Sequence, residues 1–354
     1  MIDSSKEYLY TENPDIGNEY REKQKVEFAR LIERMRSSSD EQRGVFFKPS
    51  TASIYSYEQD IESYRLQFKE MLGWPLKDPM ISSLPPRAEL SFVAEDSLSK
   101  IYRVRVEGEY ELTTYGLLFL PHTEGPFPLV ISQHGGAGTP ELCSGLYGPT
   151  NYHDMTRTIL KRGIAVFAPQ LLLWKEEEYG PKYDRVQMDK QLKQLGSSIA
   201  AVEIYKIQNS LNYLLSRDDI DASKVGMIGL SYGGFYTLYT AAVDTRIKAA
   251  YSSCFINNRF IYDWPDFTWF NSGNTFLDAE VCGLICPRYL HIEVGRNDEL
   301  FSYEHAIKEM DKVEKRYEQL NIKNRVSSEA YEGGHELNSN DQGIDKFCEY
   351  IHSL

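Results

Sequence analysis

Short apolar runs alternate with longer amphipathic stretches along most of this chain, beginning near residue 128. The short runs have the length of buried strands, and the longer stretches carry apolar residues at helical spacing. Such alternation predicts a mostly parallel central sheet with helices on both faces, which is an α/β fold. The predicted strands lie near 128–133, 164–168, 224–229, 247–252, 288–294 and 325–331. The predicted helices lie near 150–162, 197–217, 235–243, 302–320 and 341–352.

Two β-type runs precede this alternation, at 101–106 and 110–120, and a glycine-containing turn separates them. Runs of this kind joined by a short turn are typical of a β-hairpin. We therefore expect the hairpin to add an antiparallel N-terminal edge to the parallel sheet.

Residues 1–95 form a predicted N-terminal helical extension to a main domain at 96–354. Charged stretches at 19–36 and 57–72 carry apolar residues at helical spacing, and a proline-rich segment follows them. Helices with one charged and one apolar face suit either of two roles, covering a site on the main domain or making a contact between subunits.

The strand near 224–229 runs directly into the stretch Gly229-Leu230-Ser231-Tyr232-Gly233, and a helical pattern follows. This is the strand–turn–helix context of a G-x-S-x-G nucleophile elbow. Side chains at the two glycines would collide with the neighbouring strand and helix. The turn places the Ser231 hydroxyl at a helix N-terminus, where N–H groups favour negative charge. The five residues alone also fit a glycine-rich turn with a capping serine.

A base and an acid follow the serine in the order that a nucleophile elbow requires. His335 lies in a glycine loop directly after the last predicted strand, and an imidazole suits proton transfer near neutral pH. Asp298 lies after the preceding strand and a glycine turn, where it would orient His335. Glu299 and Asp278 are the competing acids.

Donors for an oxyanion hole are expected at two places. One is the N–H of Tyr232, the residue after the nucleophile. The other is in His134-Gly135-Gly136, which follows the strand near 128–133 and is placed like the glycine loop of lipases and esterases. Gly136 is the first choice of donor, and Gly135 is the second.

Residues 257–283 interrupt the alternation of strands and helices and are rich in aromatic side chains. One interpretation is a cap over the nucleophile, with Trp264, Trp269 and Phe270, together with His134, contacting an acyl group or a sugar ring. The other is an aromatic satellite core that holds a long loop together.

Residues from about 101 to 354 resemble the α/β-hydrolase superfamily, specifically its dienelactone-hydrolase-like and acetyl-xylan-esterase-like branches. The residues that carry this resemblance are His134-Gly135-Gly136, Gly229 to Gly234, Gly295-Arg296-Asn297-Asp298 and Gly333-Gly334-His335. The elbow is also similar to that of prolyl-oligopeptidase-type serine peptidases, but the extension is far too short for their β-propeller. Dienelactone hydrolases proper use a cysteine nucleophile, and Ser231 occupies that place here.

Composition and charge indicate which kinds of binding partner this chain is not expected to have. The net charge is −13, with no basic stripe, so binding to nucleic acid is not expected. No apolar run reaches the ~18 residues of a membrane helix, and the N-terminus lacks the pattern of a secretory signal. Five scattered cysteines without zinc-finger spacing favour free thiols in a reducing, cytoplasmic location, and we expect neither metal nor cofactor.

Together these features predict a serine hydrolase that cleaves carboxylic esters through an acyl-enzyme. Its substrates would be small short-chain acyl esters, such as acetyl groups on carbohydrates. One alternative is a small-peptide or amide hydrolase, in which Glu293, Glu299 or Glu332 holds a substrate amine. A second alternative is a non-catalytic binding protein with a hydrolase fold.

Overall fold

The computed structural model describes residues 10–354, and one sheet of nine strands forms its centre. Residues 1–9 of the predicted extension, which include the segment considered as a secretory signal, lie outside this range. The strands are β1 (Ala88–Glu95), β2 (Ser99–Glu107), β3 (Thr113–Pro121), β4 (Phe127–Gln133), β5 (Ala165–Pro169), β6 (Ile220–Leu230), β7 (Ala249–Ser253), β8 (Tyr289–Gly295) and β9 (Val326–Tyr331).

The order across the sheet is β1-β2-β3-β5-β4-β6-β7-β8-β9. The pairs from β1 to β3, and β3 with β5, are antiparallel, and all the other pairs are parallel. This confirms the α/β-hydrolase fold with an antiparallel N-terminal edge. Every predicted strand is present. β1 was not predicted, and it is an edge strand whose side chains are mostly exposed.

Helices cover both faces of the sheet. They are α1 (Asn18–Phe46), α2 (Ile54–Leu72), α3 (Pro140–Cys143), α4 (Met155–Leu160), α5 (Arg185–Gln194), α6 (Ile199–Leu214), α7 (Tyr232–Val243), α8 (Asp278–Ile285), α9 (Tyr303–Gln319) and α10 (Gln342–Ser353). The helix predicted at 150–162 is shorter than expected, because His153 and Asp154 have positive φ angles that a helix does not accept. The sequence missed α5 because its ten residues are mostly polar.

The two helices of the extension differ in how they pack. α2 begins with a capping box between Ser53 and Ser56, and its apolar face is buried in the main core. α1 contacts the main domain near its C-terminal end, where Arg43 donates to the carbonyl of Gly273 and pairs with Glu280. Phe28, Leu31, Ile32 and Met35 form a stripe nearer the N-terminal end of α1, and this stripe is exposed.

All five cysteines are free and buried. None of the helices within residues 10–354 combines the length and the apolar run that crossing a bilayer requires.

Candidate active site

Ser231 lies at the sharp turn between β6 and α7, with φ 60° and ψ −121°. This is a sparsely populated backbone conformation for a residue other than glycine, and such strain is concentrated at functional sites. A Cβ at Gly229 would collide with the backbone of Gly233, and one at Gly233 would collide with the carbonyl of Gln133 on β4. The close approach expected at both glycines is therefore present, and the turn is an elbow.

His335 and Asp298 lie together at the carboxyl ends of the last two strands. His335 Nδ1 and Asp298 Oδ2 are 2.9 Å apart, and both side chains are largely buried. This bond leaves Nε2 of His335 as the nitrogen that can face a nucleophile. The Ser231 hydroxyl makes no hydrogen bond within residues 10–354, and bonds between a nucleophile and its base often tighten only in the complex with substrate.

The surroundings of Asp298 keep it ionised. Its second oxygen accepts hydrogen bonds from the backbone N–H groups of Leu300 at 2.8 Å and Phe301 at 2.9 Å. Burial alone would raise the pKa of Asp298, but the hydrogen bond from His335 and these two backbone bonds outweigh burial and hold the pKa below its ordinary value. A carboxylate in this state can stabilise a protonated imidazole.

The loop that carries His335 is held by a segment that the sequence did not single out. Asn151 Nδ2 donates to the carbonyl of His335 at 3.1 Å, and the N–H of Leu337 donates to the carbonyl of Asn151 at 2.9 Å. His153 Nε2 lies 2.9 Å from Glu336 Oε2. Asn151 and His153 precede α4 in the chain, so they are close to His335 only in the folded protein.

The two predicted oxyanion loops lie side by side. Tyr232 is the first residue of α7, and the first N–H groups of a helix have no partner within it. Gly136 is exposed, and its N–H makes no hydrogen bond within residues 10–354. The N–H of Gly135 instead donates to the Tyr152 hydroxyl at 2.7 Å. The N–H of Gly135 therefore already has a partner, whereas the N–H groups of Gly136 and Tyr232 are available to bind an oxyanion.

The expectation that His134 contacts substrate is wrong, because its ring is completely buried. Nδ1 lies 2.9 Å from the carbonyl of Gly135, and Nε2 accepts from the N–H of Leu171 at 3.2 Å. Burial lowers the pKa of His134 to about 4, so the ring stays neutral. This histidine shapes the glycine loop from inside the protein.

The aromatic segment at 257–283 divides into core and surface residues. Trp269 is buried against Phe235 and Tyr239, and Phe270 is 97% exposed on the outside of the protein. The expectation that these two side chains contact substrate is therefore wrong. Trp264 differs from both, because it is partly exposed and stacks on Tyr232 with ring centroids 5.8 Å apart.

A row of aromatic rings connects Tyr232 with His335. From Trp264 the next ring is Phe301 at 5.7 Å, and Phe301 lies 5.6 Å from His335. The sequence had not singled out Phe301, which directly follows the acid loop. Trp264 is therefore the one residue of the aromatic segment that was predicted to contact substrate and lies next to the site.

Arg185 fixes this aromatic segment to the body of the protein. Its guanidinium donates to Glu203 on α6 at 2.9 Å and to Asp266 at 2.8 Å. Tyr232 donates its hydroxyl to Asp266 at 3.0 Å, which links the network to the elbow. Burial raises the pKa of Glu203, but the charge of Arg185 outweighs burial and holds the pKa below its ordinary value.

The competing carboxylates have other tasks. Asp278 is buried and paired with Arg259, whose Nε lies 2.9 Å from Oδ2. Glu299 is exposed and accepts from the backbone N–H of His335 rather than from its ring. Glu293 is completely buried, so it cannot hold a substrate amine, and Glu332 is exposed in a pair with Arg296.

Cys254, which directly follows β7, lies beside His335 and Asp298. Its Sγ is within 4.8 Å of an Asp298 oxygen and of a His335 nitrogen. Burial raises the pKa of the Cys254 thiol to about 12, so it is a thiol and not a thiolate at neutral pH. No motif in the sequence pointed to this neighbour.

The sheet order, with helices on both faces and an antiparallel N-terminal edge, defines an α/β-hydrolase fold. Residues 140–253 match the model of the Dienelactone hydrolase family. A relative from Bacillus subtilis (strain 168), the candidate hydrolase YtaP, is 29% identical over 209 residues, which are 54% of this chain and 66% of that protein. The match therefore spans just under two thirds of the relative's length.

Solved structures of esterases share the fold at low identity. A candidate acetyl xylan esterase from Bacteroides fragilis NCTC 9343 superposes with a TM-score of 0.66 and 15% identity, over 85% of this chain and 81% of that chain. A glucuronoyl esterase from Solibacter usitatus has a TM-score of 0.61 and 12% identity, over 87% of this chain and 94% of that chain. At such identities the likeness is one of fold.

Proposed function

We propose that this protein is a serine hydrolase that cleaves carboxylic esters through an acyl-enzyme. The observation that carries the proposal is the 2.9 Å hydrogen bond between His335 and Asp298, at the end of the sheet where Ser231 occupies a strained elbow. A glycine-rich turn with a capping serine would need neither the strain nor the neighbouring pair. The esterase names of the structural relatives agree with this chemistry.

The chemistry follows from the position of each group. His335 Nε2 takes the proton of Ser231 as the hydroxyl oxygen attacks the ester carbonyl. The N–H groups of Tyr232 and Gly136 stabilise the oxyanion, and Asp298 stabilises the imidazolium. The alcohol leaves with the proton held by His335. Water, activated by the same base, then releases the acid and restores Ser231.

The decisive experiment measures hydrolysis of short p-nitrophenyl esters and acetylated sugars by wild type and Ser231→Ala. We expect the rate of Ser231→Ala to fall by more than about 10³-fold with an unchanged circular dichroism spectrum. A fluorophosphonate probe should label wild type at Ser231 and leave the variant unlabelled. Full activity in a folded Ser231→Ala protein, or no labelling of wild type, would contradict the proposal, and the second result would favour the non-catalytic binding protein.

We propose short acyl esters on carbohydrates as the substrate class. Two observations support this choice: the partly exposed indole of Trp264 beside Tyr232, on which a sugar ring can stack, and the carbohydrate esterases among the structural relatives. The amide-hydrolase alternative is weaker, because Glu293 is buried, Glu332 is paired with Arg296, and Glu299 accepts from the backbone N–H of His335. Comparing acetyl esters with aminoacyl amides at equal concentration separates the two.

We further propose that α1 joins two copies of the chain. The exposed stripe of Phe28, Leu31, Ile32 and Met35 lies on one face of the helix, at the spacing by which helices pair. Light scattering should give a dimer for wild type and a monomer for Leu31→Glu. The free cysteines support a reducing location such as the cytoplasm.

A further inference from the structure

Two neighbouring strands below the candidate active site bring a histidine and two glutamates together. His291 and Glu293 are two residues apart on β8, and Glu293 lies opposite Glu329 on the edge strand β9. Side chains in these positions share one face of the sheet. One ring nitrogen of His291 and one carboxylate oxygen of each glutamate all lie within 4.8 Å of one another.

Both ring nitrogens of His291 lack a hydrogen-bond partner among residues 10–354, although the side chain is completely buried. A buried polar group without a partner carries a cost that native proteins rarely accept. The ring is held by stacking on Tyr251, with centroids 4.2 Å apart. A neutral imidazole has a lone pair on one ring nitrogen, and in His291 no donor from the described part of the chain occupies it.

The charge balance is also incomplete at Glu293. Each of the other buried carboxylates in residues 10–354 has a lysine or arginine partner; these are Asp189, Glu203, Asp244, Asp266, Asp278 and Glu309. Glu293 accepts only neutral donors, the Tyr251 hydroxyl at 2.6 Å and the N–H of Asn338 at 3.0 Å. Glu293 thus has no lysine or arginine partner among the described residues, and a bound cation would supply a charged partner.

We propose that His291, Glu293 and Glu329 bind a divalent transition-metal ion, Zn²⁺ or Mn²⁺. Imidazole and carboxylate ligands together suit these ions, and a neutral imidazole with two carboxylates matches a charge of +2. Ligand atoms bonded to one tetrahedral ion at about 2.0–2.2 Å lie about 3.4 Å apart, so atoms that are within 4.8 Å of one another need to close by at most about 1.4 Å. Glu329 is partly exposed at the sheet edge, which provides a path of entry.

The ion would strengthen the part of the sheet that carries the base. Glu293 already accepts from Asn338, three residues after His335, and Asn338 Nδ2 donates to Glu329 at 3.1 Å. A cation bound by both glutamates would join β8, β9 and the loop of His335. Because His291, Glu293 and Glu329 lie behind the loop of His335 and not among the reacting groups, the role of a bound ion would be structural and does not depend on the proposed function.

The test is metal binding by the full chain after treatment with a chelator. Isothermal titration with ZnCl₂ or MnCl₂ should show one saturable site, and metal should raise the Tm. Glu329→Gln, which keeps the side-chain volume at a partly exposed position, should weaken binding by at least about tenfold and abolish the rise in Tm. The same titrations in a Ser231→Ala background should be unchanged, which separates this proposal from that of hydrolysis.

Two control variants identify the site. Glu332→Gln removes an exposed carboxylate at the end of the same strand and should bind metal like wild type. Cys254→Ser tests the other grouping of ligand-type side chains, formed with Asp298 and His335, and should also bind like wild type. The proposal is overturned if wild type shows no saturable binding, if Glu329→Gln binds as tightly as wild type, or if binding is lost in Cys254→Ser. The first outcome would mean that Glu293 is a neutral acid held by Tyr251 and Asn338.

Discussion

Asp298 and Glu299 are adjacent carboxylates, and their surroundings decide which of them acts with His335. Asp298 reaches Nδ1 of the ring and is fixed by two backbone N–H groups, whereas Glu299 is exposed and meets only the backbone N–H. We expect Asp298→Asn to lower kcat for a p-nitrophenyl ester by about 10⁴-fold, because the imidazolium loses its partner. Glu299→Gln is the matched control and should retain most of the wild-type rate. Equal losses in the two variants would show that the acid has been misassigned.

The same carboxylate predicts how stability depends on pH. The pKa of Asp298 is lower in the folded state than its unfolded value of about 3.9, so the ionised form stabilises the fold. This contribution is fully present above the unfolded pKa and is lost as the pH falls through the folded pKa. Urea unfolding at a series of pH values should therefore show the stability difference between wild type and Asp298→Asn shrinking below about pH 4. A difference that grows on acidification would contradict the direction of the shift.

Residues whose role depends on their place after a strand could be predicted from the sequence. Ser231, Asp298 and His335 each follow a predicted strand, and parallel strands bring their carboxyl ends to one edge. The state of His134 could not be predicted in this way, because burial and the partners of its ring come from segments distant in the chain. The hydrogen bond from the Gly135 N–H to the Tyr152 hydroxyl could not be predicted either, because it also joins residues that are distant in the chain.

At the scale of elements, Arg185 on α5 joins the aromatic segment to α6 and α7. We expect Arg185→Ala to lower the free energy of unfolding by about 3–5 kcal/mol, because it leaves Glu203 and Asp266 buried without their cation. Urea unfolding followed by circular dichroism measures the change.

The control for this prediction is an arginine whose partner is more exposed. Arg217 pairs with Asp219 near the surface, so Arg217→Ala should cost under about 1 kcal/mol. Similar losses for the two variants would mean that the network around Arg185 adds nothing beyond an ordinary ion pair.

The elements that the sequence missed share a physical cause. α5 is mostly polar and β1 mostly exposed, so neither has the buried apolar periodicity on which such predictions depend. The position of α5 is set by tertiary contacts such as those of Arg185, and the position of β1 is set by its pairing with β2. The interior strands β4, β5, β7 and β8 have no such ambiguity, since every residue in them is buried.

At the scale of the whole molecule, the N-terminal segment has two parts that should respond differently to deletion. α2 contributes Tyr57, Ile61, Phe68 and Leu72 to the main core, and each of these side chains is almost completely buried. Deleting residues 1–72 should therefore prevent folding, whereas deleting residues 1–35 should leave a single unfolding transition and full hydrolysis. Expression and calorimetry of both truncated chains test this, and a stable, active product of the longer deletion would refute it.

The position of β9 at the edge of the sheet has a consequence for the order of events on heating. Edge strands have a neighbour on one side only, and local opening begins where such support is weakest. The loop that follows β9 carries His335, whereas Ser231 follows β6 in the interior of the sheet. Fraying of this one strand would withdraw the base while most of the helices and strands persisted. Loss of activity would thus be an early signal of denaturation, ahead of any spectroscopic change in the bulk of the protein.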